Sequence, residues 1–103
     1  MNDRTYMISM HTPVGIRHGT ISLRIDQKRV TGQLNILRHC KPFEGTIDEF
    51  GNCRLHGSLT TLMRTVPYTA AGHIGLDTLN LSLTGERNIL HITGVIQKKV
   101  GTI

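Results

Sequence analysis

A chain of 103 residues, 38% hydrophobic and 18% charged, supports one globular domain with a modest core. No apolar run approaches the ~20 residues of a membrane-spanning helix, and Met1-Asn2-Asp3-Arg4 lacks the charged head and apolar core of a signal peptide, so the sequence reads as intracellular and cytoplasmic. Twelve Lys and Arg against seven Asp and Glu favour anionic partners, and two cysteines are too few for a disulfide scaffold.

Taken in chain order, the sequence predicts strands near 5–12, 16–26, 29–39, 43–50, 53–64, 67–77, 79–85 and 89–98. The second holds Gly19-Thr20-Ile21-Ser22-Leu23-Arg24-Ile25-Asp26, in which every second residue is apolar or glycine. The same period of two runs through Gly32-Gln33-Leu34-Asn35-Ile36, Leu55-His56-Gly57-Ser58-Leu59-Thr60 and Leu79-Asn80-Leu81-Ser82-Leu83-Thr84. A period of two turns one set of side chains to a core and the other to water. No segment carries a sustained helical stripe. Turns are expected at Pro13-Val14-Gly15, Gln27-Lys28-Arg29, Cys40-Lys41-Pro42, Gly51-Asn52, Val66-Pro67, Asp77-Thr78 and Glu86-Arg87-Asn88. The expected architecture is all-β: one domain, an antiparallel up-and-down meander barrel of about eight strands.

A unit Gly-x-(Ile/Leu) recurs at Gly19, Gly32, Gly45, Gly57, Gly72 and Gly94. Its first copies lie 13, 13 and 12 residues apart, the length of one strand and one turn. Gly19, Gly32, Gly45, Gly57, Gly72, Gly85 and Gly94 share the parity of the buried residues. Two reasons would account for them: sharp coiling of strands into a narrow barrel, the favoured one, or space for a ligand. An intracellular meander with these units resembles the small calycin-like barrels, which include lipocalins, fatty-acid-binding proteins and small bacterial regulators of lipocalin-like fold. The likeness is one of pattern over nearly the whole chain; the Gly-x-Trp of lipocalins is absent, since the chain has no Trp. It implies a binding or regulatory module.

His39, Cys40, Cys53 and His56 have the side chains of a zinc site. In a meander, however, the fourth strand separates Cys40 from Cys53 by about 20–25 Å, too far for one ion or a disulfide. Neither a metal nor a cofactor is therefore expected. Cys53 and His56, three apart on a strand, point to opposite faces, and no nucleophile elbow, phosphate loop or His-Glu-x-x-His occurs. Glu49, at buried parity near a turn, is the one candidate acid or base, and a solvated strand-end carboxylate is the simpler reading. An enzyme is not the expectation.

The barrel ends carry more information. Arg17, Arg38, Lys41, Arg64 and Arg87 gather at the end reached by the odd-numbered strands, against Glu44 and Glu86. The other end sets Lys28, Arg29, Arg54, Lys98 and Lys99 against Asp26, Asp48, Glu49 and Asp77. Arg17 shares parity with Gly19 and Ile21, and Arg38 with Leu34 and Ile36, so both are expected to lean inward at the mouth near Phe43, Tyr68 and Met10. Forked guanidiniums suit a carboxylate or phosphate, and an apolar lining suits the rest of an amphipathic ligand. The expected function is a non-catalytic binding or regulatory module for such a small molecule or for a protein partner. The alternative is nucleic-acid binding through the basic surface, disfavoured by the scarcity of aromatics: Tyr6, Phe43, Phe50 and Tyr68. Outward apolar residues Leu37, Phe50, Leu62, Ile89 and Val95 suggest a homo-oligomer.

Overall fold

The computed structural model describes residues 2–60, 64–85 and 88–97. Eight strands follow in order: β1 (Asn2–Thr12), β2 (Gly15–Asp26), β3 (Arg29–Ile36), β4 (His39–Ile47), β5 (Asn52–Thr60), β6 (Thr65–Ile74), β7 (Thr78–Thr84) and β8 (Ile89–Ile96). Each pairs antiparallel with the next, and β8 returns to β1, which closes the barrel. The all-β meander expected from the period of two is thus the observed fold. Closure leaves no long sheet edge bare.

The alternation sets the core directly. Ile21 and Leu23 on β2, Leu34 and Ile36 on β3, Leu79, Leu81 and Leu83 on β7 are all buried, while their neighbours face out. Inward residues of all eight strands form one hydrophobic cluster, and no polar or charged residue is buried among the described residues. The barrel is flattened, with Cα extents of 43 × 31 × 18 Å.

The inward glycines belong to this tight coiling. A Cβ on Gly45 would strike the Arg54 carbonyl oxygen of β5, and one on Gly72 the Asn80 carbonyl oxygen of β7. A rigid neighbouring backbone cannot yield as a side-chain tip can, so the strands approach this closely only without a Cβ. Bending and close approach account for these glycines. Gly85 is different: it lies past the end of β7, with no atom closer than 3.9 Å to its Cβ position.

Several expected boundaries shift: β1 begins at Asn2, β6 spans Thr65–Ile74 and so takes in the expected turn Val66-Pro67, and β3 and β4 move most consequentially for the site. The first connection after β3 is the two-residue turn Leu37-Arg38, and Cys40-Lys41-Pro42 lies within β4. Both turn residues hold positive φ, 55° and 65°. Such turns normally use Asn or Gly, so nothing in the residue types marked this one. β4 then ends at Ile47 rather than Phe50, because Asp48 builds the next turn: its carboxylate accepts from the Phe50 and Asn52 backbone N–H groups. Gly51, with φ 93°, completes it as the Gly-Asn signal implied. The ends of the expected strands 53–64 and 89–98, and the expected turn residues Glu86 and Arg87, fall in part outside the described residues.

Prolines mark where ladders stop. Pro42 stands one residue beyond the last β4–β5 pair, Phe43 with Gly57, and lacks the N–H that a further pair would need. Pro67 likewise precedes the first β6–β7 pair, Thr69 with Thr84. At the end of the barrel that holds the β1–β2, β3–β4 and β5–β6 connections, here the upper end, the wall therefore lacks strand pairing between Lys41-Pro42 and Ser58–Thr60.

Candidate anion-binding mouth

Arg17, Arg38, Lys41 and Arg64 sit on this upper end, and no Asp or Glu accompanies them among the described residues. Glu44 lies further down β4 on the outer wall, 3.8 Å from both Arg29 and His56. Arg87, Glu86, Lys98, Lys99 and Leu62 are outside the described residues. The lower end is compensated: the Asp3 carboxylate accepts from Arg24 at 2.7 and 3.2 Å, and the Asp26, Asp48, Glu49 and Asp77 carboxylates are there as well.

The two expected arginines differ in placement. Arg17 pairs with Met10 across β1 and β2, and so keeps inward parity while its side chain stays exposed. It stands above the last β2–β3 pair, Thr20 with Asn35, so no neighbour on β3 covers it. Arg38 does not continue β3 as expected: the strand ends at Ile36, and Arg38 occupies the strained turn, exposed. The β2–β3 register, carried past its end, would set Arg38 opposite Arg17. Neither guanidinium makes an ion pair among the described residues.

The three apolar partners are core members. Met10, Phe43 and Tyr68 are 1%, 4% and 8% exposed. Phe43 and Tyr68 meet over Gly57, which pairs with both: a Cβ there would lie 2.8 Å from the Tyr68 hydroxyl and 3.1 Å from the Phe43 Cβ. The Tyr68 hydroxyl has no hydrogen-bond partner among the described residues, and burial pushes its pKa up to about 12, so it stays a neutral donor.

Lys41 is the residue that sequence reasoning placed in a turn. On β4 it pairs with Leu34, has inward parity and is half-buried, beside the end of the β4–β5 ladder at Pro42. Its ammonium has no carboxylate partner among the described residues. Its parity with Phe43 and Ile47 was readable, but only once the turn at Leu37-Arg38 was known.

The described clefts lie elsewhere. One of about 720 Å³ runs along the lower wall, lined by Lys28 and Arg54 and equally by Asp48 and Glu49, so its charges balance. Cys53 points into the core and Cys40 out, where its thiol donates to Gln33 Oε1 at 3.0 Å. Desolvation raises the Cys53 pKa to about 11, which leaves an inert thiol. His56 is exposed on the opposite face from Cys53, and Glu49 is exposed in its turn, so neither forms a catalytic pair. The described residues hold no group of three or more His, Cys, Asp or Glu arranged to bind a metal. No helix among the described residues is long and apolar enough to cross a membrane. The chain matches no protein-family model and no curated protein.

Proposed function

We propose that the protein is a non-catalytic binding or regulatory module of calycin-like shape that takes an anionic group at its upper mouth. The observation that carries this reading is Lys41: a half-buried residue of inward parity whose ammonium has no carboxylate partner among the described residues, beside the end of the β4–β5 ladder. With no carboxylate beside it, the ammonium is left to attract an incoming phosphate or carboxylate. The neutral Tyr68 hydroxyl supplies a further donor near the same ladder end, and Arg17 and Arg38 supply forked donors at the rim. Because apolar side chains fill the interior, the ligand sits at the rim, with little room for a long apolar tail.

Calorimetry with inorganic phosphate, short acyl phosphates, fatty acids and nucleotides tests this. Phosphate-bearing ligands are expected to bind and long-chain fatty acids to gain little over short ones. Arg17→Ala with Arg38→Ala should weaken binding at least tenfold, and Lys41→Met should abolish it. Equal binding by parent and Lys41→Met would sink the proposal.

A further inference from the structure

We propose that His11 and His91 form a chelating pair for a divalent transition-metal ion across the seam where the barrel closes. β1 and β8 are the first and last strands, and their register sets His11 directly opposite His91. Tyr6, Ile8 and Met10 on β1 and Ile92 on β8 are buried, so strand alternation turns both histidines to the outer face, where both are exposed. Directly opposed residues of an antiparallel pair have Cβ atoms about 4.5–5.5 Å apart. Two imidazoles on such a base can converge on one ion, each at about 2.0–2.1 Å.

The surrounding wall suits this use. Ser82 Oγ lies 3.2 Å from His91 Nδ1. In the neutral tautomer that binds a metal through Nε2, the His91 Nδ1–H donates to this hydroxyl, which holds the ring and leaves Nε2 as the ligand atom. His11 has no hydrogen-bond partner among the described residues, so both its ring nitrogens are available. The outward positions of β7 and β8 hold no Lys, Arg, Asp or Glu, and Arg17, the nearest cation along β2, has the opposite parity. An incoming cation therefore meets no ammonium or guanidinium on this face. His18 stands one diagonal step away on β2, where Ser9 Oγ lies 3.1 Å from its Nδ1, and is not a member of the pair. Imidazole nitrogens select zinc, copper or nickel over magnesium and calcium. The chain fills two coordination positions and water the others. Because β1 and β8 are the strands furthest apart in sequence, an ion bound to both closes the longest loop in the barrel, where a cross-link stabilises most. The ion thus fastens the barrel at its seam, a role independent of Lys41 and the mouth.

The test is calorimetric titration of the tag-free protein with zinc chloride, with histidine ring signals followed by NMR and urea midpoints measured with and without zinc. Zinc is expected to bind, to shift the His11 and His91 rings together while leaving those of His39, His56 and His73 in place, and to raise the urea midpoint. His11→Asn and His91→Asn should each weaken binding at least about tenfold and remove the zinc-dependent rise in midpoint. Both positions are exposed, so the metal-free midpoints should match the parent and show that each variant folds. Cys40→Ser and His18→Asn should bind zinc as the parent does, and magnesium should not compete. One ion per chain is expected; one ion shared by two chains also supports the pair, with a second copy's histidines in place of water. The proposal is overturned if zinc does not bind at millimolar concentration, if His11→Asn or His91→Asn binds as the parent does, or if binding is lost with Cys40→Ser or His18→Asn instead.

Discussion

At the scale of single residues, the strongest departures from ordinary backbone geometry fall at the rim. Arg38 holds φ 65° without being Gly or Asn, a conformation that costs an L-residue about 1–2 kcal/mol. Arg38→Gly is therefore expected to raise stability by about 1 kcal/mol in urea unfolding, while weakening phosphate binding. The reverse holds at Gly45 and Gly72. Ala at either drives a Cβ against a neighbouring carbonyl and should cost about 1–3 kcal/mol, as overpacking does. The cysteines differ in the same physical terms. Cys40 should react with a thiol reagent in the native protein, and Cys53 only on unfolding. Cys53 and Tyr68 both have pKa values raised on folding, to about 11 and about 12. For such groups the stabilisation is complete below the unfolded pKa and is lost as pH rises through the folded one. Stability should therefore fall between about pH 9 and 12, read by urea midpoints across that range.

At the scale of elements, turns and ladder ends decide what the barrel presents. The β4–β5 turn is held by Asp48. Desolvation works to raise its pKa, but hydrogen bonds from Asn52 and from the Phe50 N–H outweigh it, and the net shift is downward. Arg24, mainly through its hydrogen bond, lowers the Asp3 pKa. Carboxylates depressed on folding stabilise above their unfolded pKa and cease to do so as pH falls through the folded one. The lower end should thus loosen first in acid, below about pH 4, visible as early exchange of the Gly51 and Asn52 amides. Leu81→Ala on β7 should cost about 2–5 kcal/mol, since Leu81 is buried in the core with little room to collapse.

At the scale of the whole molecule, charge among the described residues is sorted along the barrel axis: compensated below, cationic above. If nucleic acid binds the cationic end, the contact rests on phosphates, so its affinity should fall steeply between 50 and 200 mM salt, on the order of tenfold or more, and discriminate little between sequences. Tight, sequence-selective binding at high salt would contradict the mouth as the principal site. The apolar residues expected to mark an oligomer scatter. Leu37 packs partly against the core, and Phe50 lies in the lower turn, whereas Ile89 and Val95 share the outer side of β8–β1–β2 with the exposed Met7, Val14 and Ile16. Sedimentation of the parent and of Val95→Lys with Met7→Lys is the corresponding measurement, with the parent expected as a dimer and the variant as a monomer.

The order and type of the elements were determined by the sequence alone, because a period of two obliges strands such as Gly19–Asp26 and Leu79–Thr84 to bury one face, and short connections oblige neighbours to pair. The inward glycines were legible for the same reason, although only the register shows that Gly45 and Gly72 lie against carbonyls of the next strand. The mouth was legible only in part. Arg17 was found by parity and Lys41 was placed at the same end, but its inward position on β4 was hidden, because a turn built from Leu37 and Arg38 breaks the usual rule of residue choice, and the surrounding barrel must hold that strain. Pro42 read as a turn residue; tertiary pairing makes it the end of a ladder. The end of the β4–β5 ladder beside Lys41 is a consequence of unequal strand lengths and stagger on closure. Those are properties of eight strands together, which no single segment encodes.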